Sequence, residues 1–293
     1  MNGIRLSEKY AAFTTEKPFD FTKRSTIGCG GFAPVAFYPK TAEECITLVG
    51  YLRTDGFPYQ VLGNLSNVLP KSGESDGVVI STKSLKGISF SNGVFVEAGV
   101  TSGALLSACK KRGLSGAEFL VGIPCTVGGA LYMNAGVAGA YIGELVESVT
   151  VIREGELTVL PRSACEYAYK HSAFMQNNDF ILGAKLALEE ADEASVLVKL
   201  KAYADRRKHL PKGKSMGCVF KNPPNAVAGR LIEGAGLKGL RIGGAVVSEM
   251  HANFIVNDKG ATSEHIQALI AVVKNAVFAQ YNVRLEEEIR YLE

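Results

Sequence analysis

Three glycine-rich loops constrain this chain more than any other feature: STIGCGGFAP (25–34), VLGNLSNVLP (61–70) and VGIPCTVGGALYMNAG (121–136). Clustered Gly with Ser, Thr and Asn is what a phosphate cradle needs, namely bare backbone N–H groups, close approach and a helix N-terminus. The same composition also makes ordinary tight turns, and each loop taken alone reads either way. None is a G-x-G-x-x-G after a strand in a βαβ unit, and no G-x-x-x-x-G-K-[ST] occurs, so Rossmann and P-loop readings fail. A dinucleotide held by some other Gly-rich arrangement remains.

Around these loops short β-rich runs alternate with helical patterns. Residues 41–53 open with Thr41 and Glu44, a capping-box pattern ahead of apolar Cys45, Ile46, Val49 and Leu52, and read as a helix. Runs 58–63, 77–81 and 93–99 read as strands, 102–113 as a helix stopped by Gly113, and 144–152, 157–160 and 179–189 as further strands. A helix is expected over 192–208. Gly, Pro and Lys then dominate 211–244, with a helix near 226–236. Residues 252–257 read as a strand, 262–280 as a helix with Ile266, Leu269, Ile270, Val273 and Val277 on one face, and 283–292 as a closing strand. Mixed elements with a composition shift near residue 200 point to an α+β fold of more than one unit. Length agrees, since 293 residues suit about two domains of roughly 150.

The 47% hydrophobic and 21% charged content is that of an ordinary globular protein, and a net charge of +3 without dense Lys/Arg blocks gives no case for nucleic acid. The six cysteines (29, 45, 109, 125, 165 and 218) form no C-x-x-C pair and no metal-ligand spacing with the four histidines. They read as reduced thiols, with no metal expected. No apolar run reaches the roughly 18 residues of a membrane span, and the first residues lack a signal-peptide core. A cytoplasmic location is expected, with no membrane partner. One thiol is out of place: GKSMGCVFKNPPN (213–225) sets Cys218 in a Gly, Lys and Pro loop rather than an apolar run.

The order of the motifs resembles that of the UDP-N-acetylenolpyruvoylglucosamine reductases (UDP-N-acetylmuramate dehydrogenases), bacterial FAD enzymes of peptidoglycan precursor synthesis. STIGCGGFA is similar to the family's early Thr…Gly-Gly-x-Ala loop, LGNLSN to its Leu-Gly-Gly-Gly-Ser-Asn loop, and GIPCTVGGALYMNAG to its Gly-Ile-Pro-Gly-Thr-Val-Gly-Gly-Ala…Asn-Ala-Gly signature. GCVFKNP, LIEGAGLKGLRIGGAVVSEMHANFIVN and LEEEIR complete the series over nearly the whole chain. One such motif is weak; six in the family's order are specific. The absence of a long insertion in the last third resembles the family's shorter class.

The resemblance implies a vanillyl-alcohol-oxidase-type FAD-binding domain over residues 1–198, in two subdomains of about 1–67 and 68–198. An α+β substrate domain, 199–293, follows, its last strand returning to the active site. FAD is implied as a non-covalent cofactor, NADPH as co-substrate and a UDP-sugar as the small-molecule substrate. Cofactor contacts are implied at Leu62, Gly63, Asn64, Leu65, Ser66 and Asn67, at Gly122, Ile123, Pro124, Thr126, Val127, Gly128 and Gly129, and at Asn134, Ala135 and Gly136. The chain departs from the family at Asn64-Leu65, where glycines are usual, and at Ala138, where an aromatic is common.

For catalysis the resemblance implies Cys218 as the proton donor, at a position the family fills with serine, and Glu288 as the carboxylate beside the reacting carbon. Lys170 of YAYKHS stands where the family has arginine and is implied at the substrate carboxylate; lysine keeps the charge but not the planar fork. Tyr169, Asn222, Lys238 and His251 match substrate-contact positions. Each has a plain alternative in the residues themselves: Cys218 a filler in a tight loop, Glu288 a solvated acid, Lys170 an exposed lysine, His251 a hydrogen-bonded core histidine. Two other functions compete. A related oxidase with a histidine-linked flavin in its first domain conflicts with the lack of any histidine before residue 171. A non-catalytic FAD-binding relative has no reason to keep Glu288, Asn222 and Lys238 together.

Overall fold

The computed structural model describes residues 8–177 and 179–292; residues 1–7, part of the stretch read for a leader, lie outside them. The chain divides into two compact units that do not follow its linear halves. The first holds the residues up to Glu16, Val35–Asn64 and Gly77–Lys208; the second holds Lys17–Pro34, Leu65–Asp76 and the chain from His209 onward. Residue 198, an expected domain boundary, falls inside helix Glu193–Arg207, all of which belongs to the first unit. The division also cuts the second glycine-rich loop between Asn64 and Leu65.

The first unit is built on two sheets. Strands Tyr59–Leu62, Val78–Ser81 and Ala36–Phe37 pair in parallel, with Thr15–Glu16 antiparallel at one edge. Helix Ala42–Thr54 covers them with buried Cys45, Leu48, Val49 and Leu52, starting at Thr41, whose hydroxyl accepts from Glu44 N at 3.2 Å. The second sheet is antiparallel, in the order Glu156–Pro161, Val146–Arg153, Phe180–Leu186, Val94–Glu97 and Ile88–Ser89. Helices Ser102–Lys111 and Val127–Met133 close its core with Leu105, Leu106, Val127, Ala130 and Leu131.

The second unit is an antiparallel sheet of Lys214–Cys218, Phe254–Asn257, Ala245–Val247 and Arg241–Ile242, backed by helix Ser263–Tyr281. Ile266, Leu269, Ile270, Val273 and Val277 of that helix are buried, as their spacing requires, each worth about 1.5–3 kcal/mol against exposure. Thr262 and His265 form its capping box, the imidazole Nδ1 standing where Glu is usual.

Two expectations are corrected here. The stretch around Cys218 is a strand rather than a loop: Gly217, at φ +79, puts a break in the pairing between Ser215 and Cys218, and that glycine hides the strand in the sequence. Residues 283–292 are strand only at Arg290–Leu292, parallel to Val68–Pro70. The residues before it bond instead to 219–221, with Glu288 N donating to Val219 O and Lys221 N to Glu286 O, both at 2.8 Å.

Candidate active site

In the first unit the second and third glycine-rich loops lie directly against each other. Asn64 Nδ2 donates to Pro124 O at 2.8 Å, and a Cβ on Gly63 would overlap the Thr126 hydroxyl. Gly122 takes φ +71, a left-handed conformation that favours glycine, with the Arg207 side chain over it. Ser102, at the start of its helix, fixes the third loop from below through Oγ to Ile123 O at 2.6 Å. The loop then enters helix Val127–Met133, capped by Thr126 through Gly129 N. The N–H groups of Val127 and Gly128 donate to Val100 O and Ala98 O at 2.8 Å, and a Cβ on Gly128 would press on Ala98. Gly128 and Gly63 are therefore both packing glycines, one against Ala98 and the other against Thr126, whereas Gly122 serves the left-handed backbone.

Beyond that helix Asn134 is left-handed, at φ +43, and Ala135 and Gly136 lead into a hairpin whose two turn residues, Ala138 and Gly139, both have positive φ. Residues 136–143 thus fold as a hairpin and turn. Tyr169 and Lys170 form the tip of a second tight turn, in which Ala168 and His171 exchange backbone hydrogen bonds at 3.2 and 3.1 Å. Lys170 is half-buried with φ +52, and Tyr169 meets Tyr141 edge-on at 6.3 Å. A non-glycine residue in that region costs about 1–2 kcal/mol, which is why such residues gather at functional turns.

In the second unit Leu65 is itself left-handed, at φ +49, and 3% exposed. Its backbone does what a glycine does without effort, while its side chain fills the core. Asn67 Nδ2 donates to Glu288 O at 3.1 Å, and Arg290 N donates to Asn67 O at 3.0 Å, so this loop anchors the segment that carries Glu288. Of the three consecutive acids, Glu286 pairs with Lys221 at 2.5 Å and Glu287 with Lys274 at 2.6 Å and with the Tyr291 hydroxyl. Lys221, three residues beyond the thiol, is thus engaged by Glu286.

Cys218 ends strand Lys214–Cys218 opposite Phe254 and is half-buried. The other five cysteines are buried, and desolvation pushes their thiols up: Cys45 to about 12, Cys109, Cys125 and Cys165 to about 11, and Cys29 in the same direction. Those five are inert core residues. Asn222 Oδ1 accepts from Ala228 N at 3.0 Å and so tethers the start of helix Ala228–Gly234. Lys238 pairs with Glu233 at 2.6 Å. His251 is half-buried, stacks edge-on against Phe254, and accepts from Asn253 N through Nδ1 at 3.3 Å. Burial, with Lys238 adding to it, holds the imidazole below its usual range and keeps it neutral.

Two residues outside the sequence-derived set organise this half. Asn253, 4% exposed, spans both backbone groups of Phe220, accepting its N–H at 2.9 Å and donating to its C=O at 2.8 Å. Asn257 donates to Ile27 O and Gly28 O at 2.9 and 3.1 Å, fixing the first glycine-rich loop, where Thr26 Oγ1 also donates to Ser215 O at 2.7 Å. The readable signal was an amide inside the apolar run ANFIVN, which a strand tolerates only if the amide is fully hydrogen-bonded.

Comparison with known proteins decides what these arrangements belong to. Residues 33–160 match an FAD binding domain and 208–292 the C-terminal domain of UDP-N-acetylenolpyruvoylglucosamine reductase. The chain is 38% identical over 299 residues to the UDP-N-acetylenolpyruvoylglucosamine reductase of Listeria monocytogenes serovar 1/2a, covering all of this chain and 99% of that one. The chain belongs to the UDP-N-acetylenolpyruvoylglucosamine reductase family. The Geobacter metallireducens reductase is 37% identical over 272 residues, covering 92% of this chain and 90% of its own. The crystal structure of the reductase from Thermus caldophilus superposes with a TM-score of 0.84 at 33% identity, over 96% of this chain and all of that one. As a member of the reductase family the protein is an FAD-dependent oxidoreductase of peptidoglycan precursor synthesis, with an FAD-binding domain matched over residues 33–160. Its residues fit the cofactor in their chemistry: loops 62–64 and 122–126 are joined through Asn64 and Pro124 and carry Gly63 and Gly122, which add no side chain beside the backbone N–H groups a dinucleotide cradle uses.

Proposed function

We propose that the protein reduces the enolpyruvyl group of UDP-N-acetylenolpyruvoylglucosamine to give UDP-N-acetylmuramate, with NADPH as the electron source and Cys218 as the proton donor. FAD, when bound, supplies the hydride-carrying chemistry between NADPH and the double bond. Leu62, Gly63 and Asn64 with Gly122, Ile123, Pro124 and Thr126, all of the first unit, are the residues proposed to hold it. The observation that carries the reading is the setting of Cys218. It is the half-buried thiol among five buried ones, at the end of a strand whose next residue, Val219, is bonded to Glu288 N at 2.8 Å.

Addition of hydride to the double bond builds negative charge on the carbon that bears the carboxylate. Cys218 gives that carbon its proton from a thiol far more acidic than the family's serine hydroxyl. Glu288 stabilises the enol form, acting with the substrate or a water. Lys170 neutralises the substrate carboxylate as a point charge. Lys238, Asn222, Tyr169 and His251 are the proposed substrate contacts. Neutral His251, with Nδ1 accepting from Asn253, is left with Nε2–H as a donor. The cytoplasm is the proposed location, in keeping with six cysteines that are all free thiols. Among the described residues no helix is long and apolar enough to cross a membrane.

The test is to purify the protein, measure its bound flavin by absorbance, and follow NADPH oxidation with and without UDP-N-acetylenolpyruvoylglucosamine. Substrate-dependent oxidation with one UDP-N-acetylmuramate formed per NADPH is expected. Oxidation indifferent to the UDP-sugar would overturn the reading.

A further inference from the structure

The side chain of Asn134 is committed within the protein. Asn134 is 4% exposed and left-handed at the end of helix Val127–Met133. Its Nδ2 donates to Ala168 O at 2.7 Å and its Oδ1 accepts from Gly143 N at 3.0 Å. Ala168 O also receives His171 N at 3.1 Å, so both of its acceptor positions are filled. A Cβ on Gly143 would come to 2.8 Å from Asn134 Oδ1, so a glycine there makes the bridge possible. On the other side of the turn Ser172, with 0% exposure, donates from Oγ to Tyr132 O at 2.6 Å. The two bonds grip residues 168 and 172, on either side of Tyr169-Lys170, and fasten them to residues 132 and 134 at the end of one helix. That helix is the one the third glycine-rich loop opens.

We propose that Asn134 is the positioning residue for Lys170, the Asn134 amide and the Ser172 hydroxyl together seating the lysine's turn on the helix that leaves the cofactor loop. The physical need is plain. A lysine ammonium lacks the planar fork of arginine and sits on a flexible stem carrying about 2 kcal/mol of rotamer entropy, so its aim depends on where its backbone is held. That backbone is also left-handed, at φ +52, an arrangement that persists only when its surroundings over-determine it. A strap on each flank does so. Asparagine suits the first strap because one amide donates to residue 168 and accepts from residue 143, which aspartate cannot do.

This inference rests on the proposed role of Lys170 at the substrate carboxylate, and the experiment separates the two. In the flavin-loaded full-length protein, stopped-flow absorbance gives two rates: bleaching of the flavin by NADPH, and its recovery on adding UDP-N-acetylenolpyruvoylglucosamine. For Asn134→Asp the ratio of recovery to bleaching is expected to fall about tenfold or more, the scale of a misplacement of an ångström or less. Ser172→Ala is expected to move it the same way by a smaller factor, and it decides the matter if Asn134→Asp does not fold. In a Lys170→Ala background Asn134→Asp should lower the ratio little further, because the strap then holds no cation. A recovery rate that is slow in Lys170→Ala but normal in Asn134→Asp overturns the positioning role alone, as does a loss from Asn134→Asp that adds in full to that of Lys170→Ala. Normal recovery in Lys170→Ala overturns the Lys170 reading and this inference with it.

Discussion

Lys170 and Cys218 are held by opposite means. Lys170 occupies the left-handed region itself, at the tip of a two-residue turn. At Cys218 the left-handed φ falls on Gly217, and the cysteine stays in an extended ladder opposite Phe254. A buried asparagine backs each. Asn134 divides its amide between two segments, bracing a turn from the side; Asn253 gives both ends to Phe220, lengthening a ladder. Side-chain reach explains the difference. A thiol reaches one bond beyond Cβ, so its strand must be placed directly by rungs on both sides. An ammonium reaches over four methylenes and needs only a firm base, which a strained but strapped turn provides.

The largest effect should come from the ladder. Cys218→Ala is expected to lower turnover of the UDP-sugar by about a hundredfold or more, the range for loss of a general acid, while Cys218→Ser keeps turnover within about tenfold of wild type. Steady-state rates with matched flavin content decide it, and an alanine variant as fast as wild type would make the thiol a spacer. Next in size, Asn253→Ala leaves both Phe220 backbone groups unpaired in a buried site and should cost about 2 kcal/mol or more of stability. Urea unfolding measures that cost. A loss below half that value would show that the ladder does not depend on its extension.

The turn predicts a ranking of two variants. Lys170→Gly and Lys170→Ala lose the same side chain, but glycine is spared the left-handed penalty of about 1–2 kcal/mol and adds an entropy cost of about 0.5–1 kcal/mol, leaving Lys170→Gly the more stable of the two by about 0.5 kcal/mol. Urea unfolding should therefore rank Lys170→Gly above Lys170→Ala while substrate turnover falls in both. A glycine variant no more stable than the alanine one would show the turn to be relaxed in the native protein and would remove the strain half of the comparison.

Legibility divided along the same line. Helices 42–54 and 263–281 were readable because an N-cap and an apolar stripe agree, and the glycine-rich loops because they exclude the common nucleotide folds. The strand under Cys218 was not readable: KSMGC has one buried apolar residue, Met216, and a glycine that breaks the pairing. The grouping of residues 17–34 and 65–76 with the C-terminal third was also hidden. It rests on long-range contacts such as Asn257 Nδ2 to Ile27 O and Ser263 Oγ to Pro70 O, which local pattern does not encode. Positions of candidate residues came from family motifs, but what holds them did not. Asn134 reads as a cofactor contact in sequence, and no local pattern announces that its side chain donates to Ala168 O and accepts from Gly143 N.

The smallest predicted effect is a pH dependence confined to the ladder. His251 is held neutral, its pKa depressed below the ordinary 6.5 mainly by burial, and its Nδ1 accepts from Asn253 N. A depressed pKa means that the unfolded chain takes up the proton first. The stability tied to neutral His251 is therefore complete above about pH 6.5 and is lost as pH falls through the folded-state value. Protonation also replaces the Nδ1 acceptor with a donor facing another donor, loosening Asn253 and its hold on Phe220. The melting temperature of wild type should drop between pH 7.5 and pH 5.5 by more than that of His251→Gln, a difference of roughly a few degrees or less for well under 1 kcal/mol. Lys170→Gly should leave that pH difference intact, since the imidazole acts through Asn253 and Phe254 of its own ladder. Equal drops in wild type and His251→Gln would assign the acid sensitivity to carboxylates elsewhere and leave the ladder, like the turn, without a titrating part.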